Sequence, residues 1–239
     1  MNPSPLRWRS FLVPKAGHSA EECEDAIDGD PEAGRFAVAD GASESYAAGE
    51  WARYLVGAYV RPPAGTDWFA AAREGWQQEV GNAALSWYAE DKLARGAHAT
   101  FLGLSVRPSG DQVEWEAIAV GDACLFVLAA GAQPISFPIA RSSEFTSAPV
   151  LVSSRGAWPG WRAQRGTLRP GETLLLATDA LAQFLLKSSD EGDFAGPSLM
   201  GLDEDDDFAL WVAMTRDQGR LRNDDVALGV VEVRSATAE

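Results

Sequence analysis

The spacing of apolar and polar positions changes period more than once along the chain. Residues 35–40, RFAVAD, form a short apolar run that stops at Asp40 and gives way to glycine and small polar residues, a strand running into a turn. The next stretch, SESYAAGEWARYLVGAYV (43–60), places its apolar residues at helical spacing and ends at RPPAG. A second helical stretch, TDWFAAAREGWQQEVGNAALSWYAEDKLA (66–94), follows, with a break expected near Gly81. Its Trp and Leu positions form one stripe and predict core packing, since an indole is first a large apolar surface.

From about residue 97 the pattern becomes that of strands: ATFLGLSV, QVEWEAIAV, CLFVLAA, PISFPI, AQRGTL and TLLLAT, joined by RPSGD, VGD and RPGE. The short turn-like joints predict antiparallel hairpins. A helix is expected from Asp179 through ALAQFLLK, another over DDDFALWVAMTRDQ, and a last strand over DVALGVVEV. Residues 1–20 read as irregular or strand-like, and SSDEGDFAGPS (188–198) as a loop. Helices grouped between early and later strands indicate an α+β layered domain rather than alternating βαβ units.

Composition narrows the class. The chain has 239 residues, no repeat and no linker-like tract, so one domain over 1–239 is expected. The hydrophobic fraction of 46% and nine tryptophans allow a large core. The N-terminus MNPSPLRWRSFLVPK lacks the apolar stretch of a secretory signal, and no apolar run is long enough to span a bilayer. With Cys23 and Cys124 far apart and expected free, the chain reads as soluble and cytoplasmic, without membrane partners. A formal charge of -15 without clustered Lys or Arg argues against nucleic acid as a partner.

The acidic residues gain meaning from their places. Asp40 closes RFAVAD, Asp122 sits between two strands in AIAVGDACLFVL, Asp179 closes ETLLLATDAL, and Asp224 and Asp225 open NDDVALGVV; Glu24 and Asp25 lie in CEDA. Each alone is ordinary turn or cap chemistry. Adjacent strands lie about 5 Å apart, so several such carboxylates at one rim of a sheet can converge on an ion. Oxygen donors, with His18 and His98 the only histidines, favour Mg2+ or Mn2+ over zinc. The acidic run Asp203–Asp207 reads instead as a solvated loop and helix start favoured by the helix dipole.

Taken in order, CEDA, VADGAS, AVGDACLFVL, LLLATDAL and NDDVALGVV resemble the motifs of the metal-dependent protein phosphatase 2C (PPM) family, over about residues 10–234. The resemblance implies a four-layer α/β/β/α sandwich with two central antiparallel sheets and a dimetal site at one edge. It implies a Mn2+- or Mg2+-dependent protein serine/threonine phosphatase, attacking the phosphomonoester with a hydroxide bridging two ions. Asp40 would bridge both metals and the Gly41 carbonyl would bind one; Asp179 and Asp224 would complete the ligands of the first metal. Glu24 and Asp25 would serve the second ion, and Asp122 a third. Asp40, Asp179 and Asp224 would be the catalytic set. The expected partner is a phosphorylated protein, the substrate of a serine/threonine kinase, in a signalling role.

Several positions depart from the family pattern. Ala20 stands where many members have an arginine that holds the substrate phosphate, and His18 is the nearby candidate to contact substrate instead. Arg35, Arg155, Arg162 and Arg165 are further candidates. Ala42, Gln183, a lone Thr100 and Asp225 replace other familiar residues. The segment 188–201 is expected to be a flap near the active site. Two alternatives stay open: a pseudophosphatase acting as a binding or signalling module, and an enzyme for small phosphorylated metabolites.

Overall fold

The structure, a computed structural model, describes residues 4–80, 93–129 and 131–234. Eleven strands among these residues form two antiparallel sheets. The first sheet orders β1 (Leu6–Val13), β11 (Val226–Val233), β10 (Thr173–Ala177), β6 (Cys124–Leu128) and β7 (Ile135–Phe137). The second orders β2 (Asp25–Asp30), β3 (Arg35–Gly41), β4 (His98–Ser109), β5 (Gln112–Val120) and β9 (Arg162–Leu168), with β8 (Val152–Ser153) paired to the start of β4.

Alternation in the strands decides what lies between the sheets. Phe36, Val38, Leu102, Leu104, Leu125, Leu174, Leu176 and Val231 face inward and make one shared core. Trp8 packs there too, and it needs glycine on both sides: an added Cβ at Gly29 or Gly229 would lie 2.5 Å from its ring. The outer face of the second sheet is covered by α1 (Ala48–Val60) and α2 (Trp68–Val80), with Trp51, Leu55 and Trp76 buried against Ala37, Ala39 and Phe101. The outer face of the first is covered by α3 (Asp179–Asp190), α4 (Gly196–Met200) and α5 (Asp205–Asp217). The result is the expected α+β sandwich, helices outside and antiparallel sheets within.

Some elements differ from the expectation. DAIDGD (25–30) forms β2, although its polar residues hide it: only Ala26 and Ile27 carry apolar packing, on opposite faces. The first helix starts at Ala48 rather than 43, after Ala47 in a left-handed conformation (φ 56°). The expected break at Gly81 and the helical stretch after it (81–92) lie outside the described residues. Residues 188–201 are not simply a loop. They end α3 and form α4, and Leu199 is fully buried in the core beneath it.

Candidate active site

At one end of the sandwich the inward-facing rows turn from apolar to polar. On β3 the row Phe36, Val38 continues to Asp40; on β4 the row Leu104, Leu102 continues to Thr100. Asp25, Asp40 and Thr100 are direct partners across β2, β3 and β4, so their side chains share a face. In the opposite sheet, Leu174 and Leu176 lead to Thr178, and Asp179 follows as the first residue of α3. Asp122 comes from the connection that crosses between the sheets, and Asp224 from the approach to β11. Gly41 is required at its place: a Cβ would lie 2.7 Å from the Ala48 backbone where α1 begins.

Asp40, Asp122 and Asp179 each present one carboxylate oxygen, and these oxygens all lie within 4.8 Å of one another. Full ionisation of such a trio is costly, about 3 kcal/mol per pair at an effective dielectric near 20. Burial and mutual repulsion therefore drive protons on. Asp40 is pushed well above the usual carboxylate range by burial and then by Asp179 and Asp122. Asp122 is raised to about 6 by burial and by Asp179. Asp25 is fully enclosed and is likewise raised, by burial and then Asp40, while a hydrogen bond from the Thr178 hydroxyl (2.7 Å) works in the opposite direction. Asp179 is raised by burial, against the opposing effect of Arg222.

The remaining sequence candidates lie around this trio. Asp224 is half-exposed and joins Asp179 through the Arg222 guanidinium, which hydrogen-bonds Asp179 and lies 3.2 Å from Asp224 Oδ2. Glu24 accepts a hydrogen bond from Ser43, and its carboxyl is raised by burial. It lines a cleft of about 490 Å3 together with His18, Asp224 and Asp225, so His18 borders the site without touching the trio. Asp225 lines the same cleft but is engaged by backbone. Its oxygens accept the backbone N–H groups of Lys15 (2.7 Å) and Glu24 (2.8 Å).

Of the arginines considered as phosphate contacts, only Arg162 borders the site, in a cavity beside Asp122. Arg35 donates to the Tyr59 carbonyl, Arg165 pairs with Glu116, and Arg155 lies by α2. The segment 188–201 does not wall the site: Asp190 ties it to Ser142, and residues 139–162 form the wall beside Asp122. The acidic run likewise stays apart, with Asp203 paired to Arg7 and Arg9. Sequence reasoning missed Thr178 and Arg222. Neither bears a distinctive spacing, and only the fold brings Thr178 to Asp25.

The donor set fits divalent cations. Beyond the crowded carboxylates, Asp122 Oδ1 and the Thr100 hydroxyl are buried without a hydrogen-bond partner, two polar atoms that lack a companion. The family model described as Protein phosphatase 2C matches residues 15–216. The chain belongs to that family. Solved phosphatases share the fold at low identity. The PstP catalytic domain, solved with two manganese ions, superposes with a TM-score of 0.62 at 17% identity, covering 96% of this chain and 98% of its own. PppA of Pseudomonas aeruginosa, described as a key regulatory component of T6SS, gives 0.57 at 20% identity, over 95% and 97%. RsbX, solved with magnesium, gives 0.51 at 17% identity, over 95% of each chain. No curated protein matches the sequence. As a protein phosphatase 2C member the chain is of the metal-dependent serine/threonine phosphatase class, and Mn2+ or Mg2+ suits its oxygen-only donors. Among the described residues no helix is long and apolar enough to cross a membrane.

Proposed function

We propose that the protein is an active phosphatase, a single domain over 1–239 that hydrolyses phosphoserine or phosphothreonine in a cytoplasmic phosphoprotein acted on by a kinase. The convergence of Asp40, Asp122 and Asp179 at the open end of the sandwich carries the reading. Asp40, Asp179 and Asp224 would hold one divalent ion, and Asp40 with Gly41, Glu24 and Asp25 a second. Asp122 would serve a third. Bound there, the ions supply a water of lowered pKa and positive charge against the transferring phosphoryl group.

The chain's own part is positional. Thr178 holds Asp25 in place from the opposite sheet, and its oxygen also accepts the Ala227 N–H at 2.9 Å. Asp225 fixes the backbone that carries Glu24. His18 lies where a substrate could pass Glu24 and Asp224. Cytoplasmic residence is supported by two buried, free cysteines. Hydrolysis of an aryl phosphate that requires Mn2+ and disappears in Asp40→Asn and Asp179→Asn is the expected result. Turnover that persists in excess chelator would overturn the proposal.

Two observations favour a second reading, a pseudophosphatase that binds rather than cleaves. Arg222 already engages Asp179 and Asp224, and Ala20 offers no phosphate contact. Calorimetry with Mn2+ separates the two: an enzyme binds at least two ions, a binding module one or none.

A further inference from the structure

Asp122 belongs to two places at once. One oxygen meets Asp40 and Asp179, and the same residue lines a cavity of about 430 Å3 that neither of those two borders. Ile139, Val150, Pro159 and Trp161 give that cavity apolar lining, beside the polar Glu144, Thr146 and Arg162. Val150 is 62% exposed and Trp161 45% exposed, large apolar surfaces held in water beside a buried acid.

The wall is braced. Trp161 stacks on Trp68 (6.2 Å between centroids, 18° between planes), which stacks in turn on Phe101 in the core. Trp158 meets Trp161 edge-on at 4.9 Å. At Gly121 (φ 90°) an added Cβ would lie 2.8 Å from the Val150 carbonyl, so glycine there lets the outer wall close down beside Asp122. A rigid aromatic floor binds an apolar group without first having to be ordered.

We propose that this groove is a specificity subsite for a large apolar side chain one or two residues from the phosphorylated residue of a protein substrate. The inference rests on the phosphatase reading and adds to it the kind of sequence cleaved. Continuity through Asp122 is the first support: with the phosphate at the carboxylate trio, a neighbouring residue of an extended peptide, about 3.5 Å further per residue, enters the groove. Its chemistry is the second. Isoleucine, valine, proline and tryptophan suit a leucine, methionine or phenylalanine and offer little to the hydroxyls of a sugar phosphate. Arg162, at the rim and in no ion pair among the described residues, can donate to peptide carbonyls.

The test compares Mn2+-dependent kcat/KM on phosphopeptides carrying Leu or Phe within two residues of phosphoserine, the same peptides with Gly there, and an aryl phosphate. The wild type should prefer the apolar-flanked peptides. Trp161→Ala should lower their kcat/KM relative to the aryl phosphate about tenfold, mainly through KM, as expected for losing one large apolar contact. Trp161→Phe should restore most of it. Equal rates on both peptide sets, or a Trp161→Ala loss equal on peptide and aryl phosphate, would overturn the subsite while leaving the phosphatase intact. Should no substrate be turned over, fluorescence anisotropy of labelled phosphopeptides on the Mn2+-loaded protein gives the answer instead. Equal affinity for Leu- and Gly-flanked peptides would then overturn the proposal.

Discussion

Arg222 donates a hydrogen bond from its guanidinium to Oδ2 of Asp179, at the edge of the carboxylate trio. The same nitrogen lies 3.2 Å from Asp224 Oδ2, so a single positive side chain spans two residues expected to share a metal. Asp179 and Asp224, with Asp40, hold the Arg222 pKa up against burial. The protein thus carries an internal cation at a site suited to external ones.

That relationship makes metal loading a competition. A divalent ion on Asp179 and Asp224 must displace the guanidinium, giving up charge-assisted hydrogen bonds of roughly 1.5–3 kcal/mol. Arg222→Ala should therefore bind Mn2+ roughly ten- to a hundredfold more tightly. Its metal-free form should be less stable, with Asp179 left uncompensated. Titration calorimetry and thermal melts in chelator read both effects. Unchanged or weaker Mn2+ binding would show that Arg222 does not contend for the site.

The raised carboxyls set a pH dependence of known sign. An acid whose folded pKa lies above its unfolded value of about 3.9 binds its proton more tightly when folded. Stability from such groups is present below the unfolded pKa and lost as pH rises through the folded one. For Asp122 that window runs up to about 6, and Asp40 and Asp25 shift in the same direction. The chelated protein should therefore melt at a higher temperature near pH 5 than at pH 8. Mn2+ should reverse the trend, because binding expels those protons, and its stabilising effect should shrink as pH falls. Melting curves with and without Mn2+ across this range provide the check. A chelated melting temperature that falls steadily from pH 8 to pH 5 would contradict the assignment of these shifts.

The Thr178 hydroxyl joins the two sheets at the site. It is fully buried, donates to Asp25 and accepts from Ala227. Thr178→Val keeps the shape and strands both partners, a carboxylate and an amide, at a cost of about 3 kcal/mol in urea unfolding. Thr178→Ser should recover most of this. A loss below about 1 kcal/mol would mean that water replaces the hydroxyl.

What could be read before folding follows from the physics of each element. Strands such as CLFVL and TLLLA carry strong apolar periods and lie where the sequence places them, while the helix ending at Val60 is found but begins at Ala48 rather than 43. β2 was hidden because it lies at a sheet edge beside the site, and its polar positions serve the site rather than the core. Asp40, Asp122 and Asp179 were legible as acids at strand ends in a familiar order, and they meet. Asp224, expected with Asp40 and Asp179 as the catalytic set, lies outside that cluster and is joined to Asp179 through Arg222. Arg222 and Thr178 were not legible, because Asp179 and Asp25, the partners that give them meaning, are distant in sequence and a single hydroxyl or guanidinium carries no period. The flap expectation at 188–201 fails on packing: Leu199 is committed to the core, and the exposed wall comes from 139–162.

Asp225 distinguishes a ligand from a brace. It sits beside Asp224, yet its two oxygens are used by the Lys15 and Glu24 amides, tying the N-terminal loop to the start of β11. Arg216 reinforces that tie through the Pro14 carbonyl at 3.2 Å and the Asp224 carbonyl. Asp225→Asn keeps one acceptor and turns an amide N–H2 toward the other donor, costing about 1–2 kcal/mol of stability. The number of Mn2+ ions bound should stay the same, while affinity for the ion near Glu24 weakens as its backbone loosens. Asp224→Asn, by contrast, should cost little stability and remove an ion. If calorimetry found one ion fewer in Asp225→Asn, the residue would be a ligand after all, and the loop would have to be held by other contacts.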